Sequence, residues 1–476
     1  MRKKKILDSN GVNPIIYMYF CEIAAESAAN IAPKRREWQN TGPVPITLSL
    51  HTPHIDTTMR ITPHFPARLR THIDLPASKS LSNRALLLCA LSGRNSCTER
   101  LSDCDDTRVM RLALDERRPE IDVMAAGTAM RFLTAGFSIC EGEEHVLTGT
   151  QRMRERPIGV LVDALRELGA DIDYVEREGF PPLRIRGKRL RGDCLTLPAD
   201  VSSQYISALL MVGPMMEKGL TLTLKGEIIS RPYIDMTLAL MAHFGARAGW
   251  RDGQTLYVAP GGYRDGTRYC VESDWSAASY WYEAVALSRD DAACVELAGL
   301  RPESLQGDSA VRRLFEPLGV RTEYCAEKDC MVLTKTSVEP LRAGKVWEVN
   351  LAAQPDLAQT LVVTCAILRR PFRFTGLQTL RIKETDRMAA LTNELEKFGI
   401  TLCSTDHDTL YIKEYPVDAP AYDGRSIATY HDHRMAMAFA PAALVCEGVT
   451  IDDAEVVSKS YPGFWNDVGS LCTSPF

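Results

Sequence analysis

A pattern of strand, buried helix, strand, amphipathic helix, strand and strand recurs through the chain at a period of roughly 75 residues. One helix type is apolar almost all round and starts after Ser80, Gly127, Ser203, Ala278, Asp356 and His433; Tyr205–Met216 and Leu357–Leu368 are examples. A helix apolar on every face has to be buried on every face. The second type is amphipathic, and four copies end in Leu168-Gly169-Ala170, Phe244-Gly245-Ala246, Leu318-Gly319-Val320 and Phe398-Gly399-Ile400. Glycine there suits the left-handed residue just past a helix C-terminus. Two short β patterns follow each glycine, such as Asp171–Val175 with Leu183–Ile185, and Thr401–Cys403 with Thr409–Ile412. The interval from Ser80 to Gly127 is about 25 residues shorter than the others. Its amphipathic helix, Thr107–Leu114, is present, and one hairpin after it is trimmed. The pattern predicts an α/β fold of six βαβαββ units, the second unit shortened.

Six units in 476 residues exceed one compact core and fit two domains of three. Buried helices would lie inside each domain and sheets outside. Residues 59–76 plus 273–476 are expected to form a C-terminal-type domain and 77–272 an N-terminal-type domain. The chain would leave one near Pro76 and return near Ser273. Residues 1–58 are expected to be an unstructured extension. Arg2–Lys5 followed by Pro14–Ala25 is only superficially like a signal peptide, since Asp8 and Glu22 interrupt it and no clean cleavage site follows.

Composition narrows the function classes. The chain is 45% hydrophobic and 25% charged, as soluble globular proteins are. A net charge of -5 argues against a nucleic-acid partner, so an anionic ligand would need local clusters of cations. No apolar run approaches the ~18 residues of a membrane span. The 14 cysteines show neither C-x-x-C nor zinc-type spacing, which reads as reduced thiols in a cytoplasmic protein. A monomer is expected.

Polar motifs gather at helix starts. Buried helices open with Ser78-Lys79-Ser80, Ala126-Gly127-Thr128, Ser202-Ser203-Gln204, Pro355-Asp356 and Asp432-His433-Arg434. Amphipathic ones open with Glu155-Arg156-Pro157, Ser230-Arg231-Pro232-Tyr233 and Lys383–Arg387. Helix N-termini present free N–H groups and a partial positive charge, and several aimed at one cleft make an anion site. Lys79, Arg84, Arg156, Arg387, Arg434 and Lys459 add full charges suited to phosphate and carboxylate. Singly, each motif is also an ordinary N-cap or a solvated first turn. Jointly, recurrence at the same phase of successive units favours a site. His431-x-His433 lacks a third ligand cluster, so no metal is expected.

At these residues the sequence resembles the 5-enolpyruvylshikimate-3-phosphate synthase family. The matching strings are Leu75–Leu88 (LPASKSLSNRALLL), Ala126–Arg131 (AGTAMR), Met153–Leu165 (MRERPIGVLVDAL), Val201–Leu210 (VSSQYISALL) and Ile229–Leu238 (ISRPYIDMTL). Ser276–Tyr280 (SAASY), Lys383–Arg387 (KETDR), Asp432–Met437 (DHRMAM) and Lys459–Pro462 (KSYP) follow in family order. The resemblance implies a two-domain, inside-out α/β barrel of the enolpyruvyl transferase type. It implies transfer of the enolpyruvyl group of phosphoenolpyruvate to the 5-hydroxyl of shikimate 3-phosphate, releasing phosphate through a tetrahedral ketal, with no cofactor.

Carried over, Lys79, Ser80, Arg84, Ser202, Ser203, Gln204, Ser230, Tyr233, Asp356, Thr379 and Lys383 would contact shikimate 3-phosphate. Lys79, Gly127, Arg156, Gln204, Arg387, His433, Arg434 and Lys459 would contact phosphoenolpyruvate. Asp356 would take the hydroxyl proton, and Glu384 or Lys79 would protonate the methylene carbon. A carboxylic acid donor needs a raised pKa, so Glu384 is expected in a desolvated cleft that raises it. Three positions depart from the family pattern: Ala125, Thr379 and His431 stand where asparagine is usual. Two alternatives compete. A UDP-N-acetylglucosamine enolpyruvyl transferase would carry a cysteine within Thr148–Pro157, and none is there. A non-catalytic binder of phosphorylated ligands would keep the fold without turnover.

Overall fold

The computed structural model describes residues 59–338, 345–405, 408–412, 415 and 421–472. The extension expected over 1–58 lies outside the described residues.

Each unit of the repeat is visible as a block of the chain. The first part runs β1 (Arg70–Asp74), α1 (Lys79–Ser92), β2 (Cys97–Glu99), α2 (Asp105–Glu116), β3 (Glu120–Asp122), α3 (Gly127–Ser138), β4 (Glu144–Thr148), α4 (Gln151–Arg154), α5 (Gly159–Glu167), β5 (Asp171–Tyr174) and β6 (Leu183–Arg186). Next come β7 (Asp193–Pro198), α6 (Ser203–Val212), β8 (Leu220–Lys225), α7 (Arg231–His243), β9 (Ala248–Trp250), β10 (Thr255–Val258) and β11 (Arg268–Cys270). The rest is α8 (Trp275–Leu287), β12 (Cys294–Ala298), α9 (Val311–Phe315), β13 (Val320–Cys325), β14 (Cys330–Lys335), β15 (Trp347–Asn350), α10 (Ala358–Ile367), β16 (Phe372–Thr375), α11 (Arg387–Glu396), β17 (Leu402–Thr405), β18 (Thr409–Ile412), α12 (His433–Phe439) and α13 (Phe464–Ser470).

Four sheets share one topology: β3-β4-β6-β5, β7-β8-β10-β9, β1-β12-β14-β13 and β15-β16-β18-β17. In each, the first two strands are parallel and the remaining pairs antiparallel. β11 pairs with β2 alone. There α2 runs on to β3 with no hairpin between them, so this is the shortened unit. Ile451 completes the series, bridging Ile427 in parallel and Ile61 antiparallel. The sheets are open; among the described residues none closes into a barrel.

Burial follows the sequence patterns. Every residue of α3 and of α10 is buried, as helices apolar all round require. In β8, Leu220, Leu222 and Leu224 point inward while Thr221 and Thr223 alternate with them. Gly169, Gly245, Gly319 and Gly399 all take positive φ at helix ends. Two separate apolar cores result. One gathers Leu69, Ile73 and Leu75 with residues from Trp275 to Leu471; the other runs from Ala77 to Val271. The two segments crossing between them lie side by side: Ala77 bridges Ser273, Ser78 N–H donates to Glu272 O at 2.9 Å, and Asp274 N–H to Pro76 O at 2.9 Å.

Candidate functional site

Helix starts from both cores converge on one cavity. Its walls include Lys79, Ser80, Arg84, Gly127, Arg156, Ser202, Ser203, Gln204, Ser230 and Tyr233 from one core. Asp356, Thr379, Lys383, Glu384, Arg387, His433 and Arg434 come from the other. Lys459 stands just behind, its Nζ 3.2 Å from Glu384 Oε1. Every residue expected to contact substrate is therefore brought to this place.

Local backbone chemistry sets these positions. Ser202 caps α6 by accepting from Gln204 N–H at 3.3 Å, and Asp432 caps α12 through Arg434 N–H at 2.9 Å. Asp386 caps α11, so Lys383 and Glu384 precede that helix instead of forming its first turn. Arg156 likewise precedes α5, whose first residue is Gly159. Asp356 sits in a short 3-10 turn, Pro355–Leu357, that leads into α10. Ser230 takes a left-handed conformation, φ 58°, and makes no side-chain cap, which leaves its hydroxyl to the cavity.

Charges inside are partly compensated. Arg387 is the centre of a network: Nε donates to Asp432 Oδ2 at 2.6 Å, Nη2 to Glu384 Oε2 at 2.9 Å and Nη1 to Asp356 Oδ1 at 3.3 Å. Arg434 Nη2 donates to Asp356 Oδ2 at 2.9 Å, and Lys383 Nζ lies 3.7 Å from Asp356 Oδ1. Among the described residues Arg84 has no carboxylate partner. It donates to Ser80 O, Thr237 Oγ1 and Ser207 Oγ, and burial pushes its pKa down to about 10. Burial and the neighbouring Arg131 do the same to Arg156. A buried cation served only by hydroxyls and carbonyls is a receptor for an anion. Thr379 Oγ1 and both ring nitrogens of His433 are buried without a hydrogen-bond partner among the described residues, as groups that receive a ligand would be.

A model of the EPSP synthase (3-phosphoshikimate 1-carboxyvinyltransferase) family matches residues 115–468. The 3-phosphoshikimate 1-carboxyvinyltransferase of Bacteroides fragilis (strain YCH46) is 53% identical over 410 residues, covering 86% of this chain and 97% of that protein. The chain belongs to the EPSP synthase family. Its relative from Shewanella halifaxensis, of the same name, is 36% identical over 433 residues and covers 84% of this chain and 96% of its own. Among solved structures, EPSP synthase from Acinetobacter baumannii superposes with a TM-score of 0.66 at 22% identity, covering 86% of this chain and 97% of that one. The enolpyruvyl transferase NikO from Streptomyces tendae gives 0.63 at 16% identity, covering 86% and 96%. These two show the enolpyruvyl transferase fold.

For an EPSP synthase, the protonation pattern holds one correction. Glu384 is not raised. Burial pushes its carboxyl up, but Lys459, Arg387 and Arg156 outweigh burial and hold it well below the usual carboxylate range. Asp356 is likewise depressed, because Arg434, Lys383 and Arg387 overcome burial. Burial lowers Lys79, yet Asp106, Cys104 and Glu384 together raise it. Burial, Lys79 and Arg434 keep His433 neutral.

Several partners escaped the sequence reading. Asp106 lies 3.6 Å from Lys79 Nζ, and Arg131 flanks Gly127 opposite Arg156. Asp308 accepts from Tyr233 OH at 3.0 Å and from Ser276 Oγ, and burial with nearby Asp356 raises it to about 6. Asp106 and Asp308 lie at or just before the amphipathic helix of their units, the phase that holds Arg156, Ser230 and Arg387 elsewhere. That phase was the available signal. Ala125 is exposed and lies off the cavity wall, so the lost asparagine there touches the site only through the backbone of Ala126 and Gly127.

Proposed function

We propose that this cavity transfers the enolpyruvyl group of phosphoenolpyruvate to the 5-hydroxyl of shikimate 3-phosphate. Arg84, Ser80, Ser202, Ser203, Gln204, Ser230 and Tyr233 hold the phosphorylated shikimate, with Thr379 and Lys383 on its ring hydroxyls. Arg156, Arg387, Arg434, His433 and Lys459 receive the carboxylate and phosphate of phosphoenolpyruvate above Gly127. Asp356, ionised among three cations, accepts the proton of the 5-hydroxyl as its oxygen bonds to C2. The double-bond electrons take a proton at C3 from Lys79 or Glu384, giving the tetrahedral ketal phosphate. Loss of a C3 proton to the same group restores the double bond as the C2–O bond to phosphate breaks, and the proton held by Asp356 passes to the departing phosphate. Alignment of two anions by fixed cations supplies much of the remaining acceleration.

The observation that carries this reading is Asp356 and Glu384 gripped by one arginine, Arg387, inside a basic cavity. The protein is proposed to act as a cytoplasmic monomer; its described cysteines are all free thiols, and no described helix is long and apolar enough to cross a membrane. The test is phosphate release with each substrate alone and with both. Release is expected only with both; a rate no higher than without protein, despite intact ligand binding, leaves a non-catalytic binder as the answer.

A further inference from the structure

Arg152 lies outside the cavity wall, and its side chain is 50% exposed. It belongs to α4, a single turn capped by Thr150 and rooted in the Ala77–Val271 core by Met153. From there its guanidinium crosses to the other core. Nε donates to the backbone carbonyl of Glu384 at 3.1 Å, and Nη2 reaches the carbonyl of Lys383 at 3.5 Å. Four residues on, Arg156 approaches the Glu384 side chain at 4.0 Å. Two arginines four residues apart thus hold Glu384, one by its backbone and one by its carboxylate.

Side chains of the segment they hold are tied to Asp356, Arg387 and Lys459, while Arg152 bonds its backbone carbonyls. Residues 383–386 lie between the 3-10 turn Gln378–Ile382 and α11, in neither helix nor strand. A carbonyl clamped by a cation is a positional constraint that tolerates solvent exposure, because the bond is charge-assisted. The constraint exists only while the two cores are together.

We infer that Arg152 is a positioning residue: a latch that fixes the Lys383–Glu384 backbone when the cores close, and so sets where the Glu384 carboxylate meets substrate. This rests on the proposed activity at the same site. Most of the proposed shikimate 3-phosphate contacts belong to the Ala77–Val271 core and only Lys383 among them lies in the latched segment, so binding of that ligand alone depends on the latch far less than turnover does.

Arg152→Ala and Arg152→Lys test this through three readouts: steady-state turnover, calorimetric binding of shikimate 3-phosphate without phosphoenolpyruvate, and backbone hydrogen exchange over 383–387 in the ligand-free protein. Arg152→Ala is expected to lower kcat about tenfold, the size of one charged hydrogen bond. It should leave shikimate 3-phosphate affinity within about twofold and speed exchange over 383–387. Arg152→Lys, which keeps a donor and the charge, is expected to recover part of each loss. Unchanged kcat and exchange in Arg152→Ala overturn the latch, as does a loss shared equally with shikimate 3-phosphate binding and melting temperature. If the parent protein shows no turnover, the activity reading fails, and the exchange measurement still decides the latch.

Discussion

Glu384 and Lys79 show how neighbours can outweigh burial in setting a proton's place. Burial alone would make Glu384 a neutral acid. Lys459 at 3.2 Å, Arg387 at 2.9 Å and Arg156 at 4.0 Å reverse that, so these neighbours favour the proton on Lys79 and not on Glu384. Phosphoenolpyruvate would occupy those cations with its own charges. The burial that remains would then raise Glu384 toward a useful range. Glu384→Gln is therefore expected to cut kcat by about 10²–10⁴-fold with much smaller changes in KM for either substrate; steady-state kinetics within twofold of the parent would remove Glu384 from proton transfer. Asp356 makes a complementary case in stability. Its folded pKa is depressed, so its contribution is complete above the unfolded carboxyl range, near pH 4, and is lost as pH falls through the folded value. Asp356→Asn leaves Arg434, Lys383 and Arg387 short of a counter-charge, a loss on the order of 3–5 kcal/mol for a buried pair. The melting-temperature gap between parent and variant should hold constant from neutral pH to about pH 5 and narrow below about pH 4. A gap that stays constant into the acid range would mean Asp356 gains nothing from its three cations.

The first turn of α3 shows why a glycine belongs at one helix start. A Cβ on Gly127 would lie 2.7 Å from Arg131 Nη1 and 2.8 Å from Arg156 Nη1. Both are ends of flexible side chains and can yield, so the fold survives, but yielding moves the two guanidiniums that flank the anion. Gly127→Ala is expected to raise KM for phosphoenolpyruvate about tenfold and leave shikimate 3-phosphate binding unchanged, as titration of each ligand would read. The buried helices and the ends of the amphipathic ones were legible in the sequence, because all-round apolarity and a recurring apolar-Gly-apolar ending leave little choice of environment, whereas Gly127 was legible through the AGTAMR resemblance. Helix starts were less legible. Arg156 and Lys383–Glu384 fall just outside their helices because Ile158 and Asp386 take the cap positions, and local sequence places a cap only to within a few residues. The compensating charges were least legible of all. Asp308 and Arg152 act through partners in other units, Asp106 and Arg131 through partners on other helices of their own unit or a turn away, and a sequence shows that a charge exists without showing what it faces. The sign of the Glu384 shift failed for that reason: three residues from three separate segments decide it.

The site joins two cores, and its charges explain why the molecule should move. Arg84, Arg156, Lys79 and Arg131 face Lys383, Arg434 and Lys459 across the gap, with too few carboxylates for full compensation. Without anions the closed form brings like charges together in a low-dielectric space, which is unfavourable. The cavity in this closed arrangement has a volume of about 100 Å³. Small-molecule sites usually need roughly 300–1,000 Å³. A cavity below that range favours a molecule that opens to admit two substrates. Among the described residues the chain crosses between the cores only at the paired segments around Ala77 and Ser273, and we propose that the cores are lobes hinged there, with the Ser230 N–H to Ala352 O bond of 2.8 Å breaking on opening. Ligand anions would neutralise the facing cations and stabilise the closed state by their differential affinity for it. Small-angle scattering is expected to give a larger radius of gyration for the free protein than for the protein saturated with shikimate 3-phosphate and a non-reactive phosphoenolpyruvate analogue. High salt alone, which screens the same repulsion, should shift the free protein part of the way. Identical scattering in all three conditions would mean that the cores form one rigid body, and that substrates reach the site by side-chain movement alone.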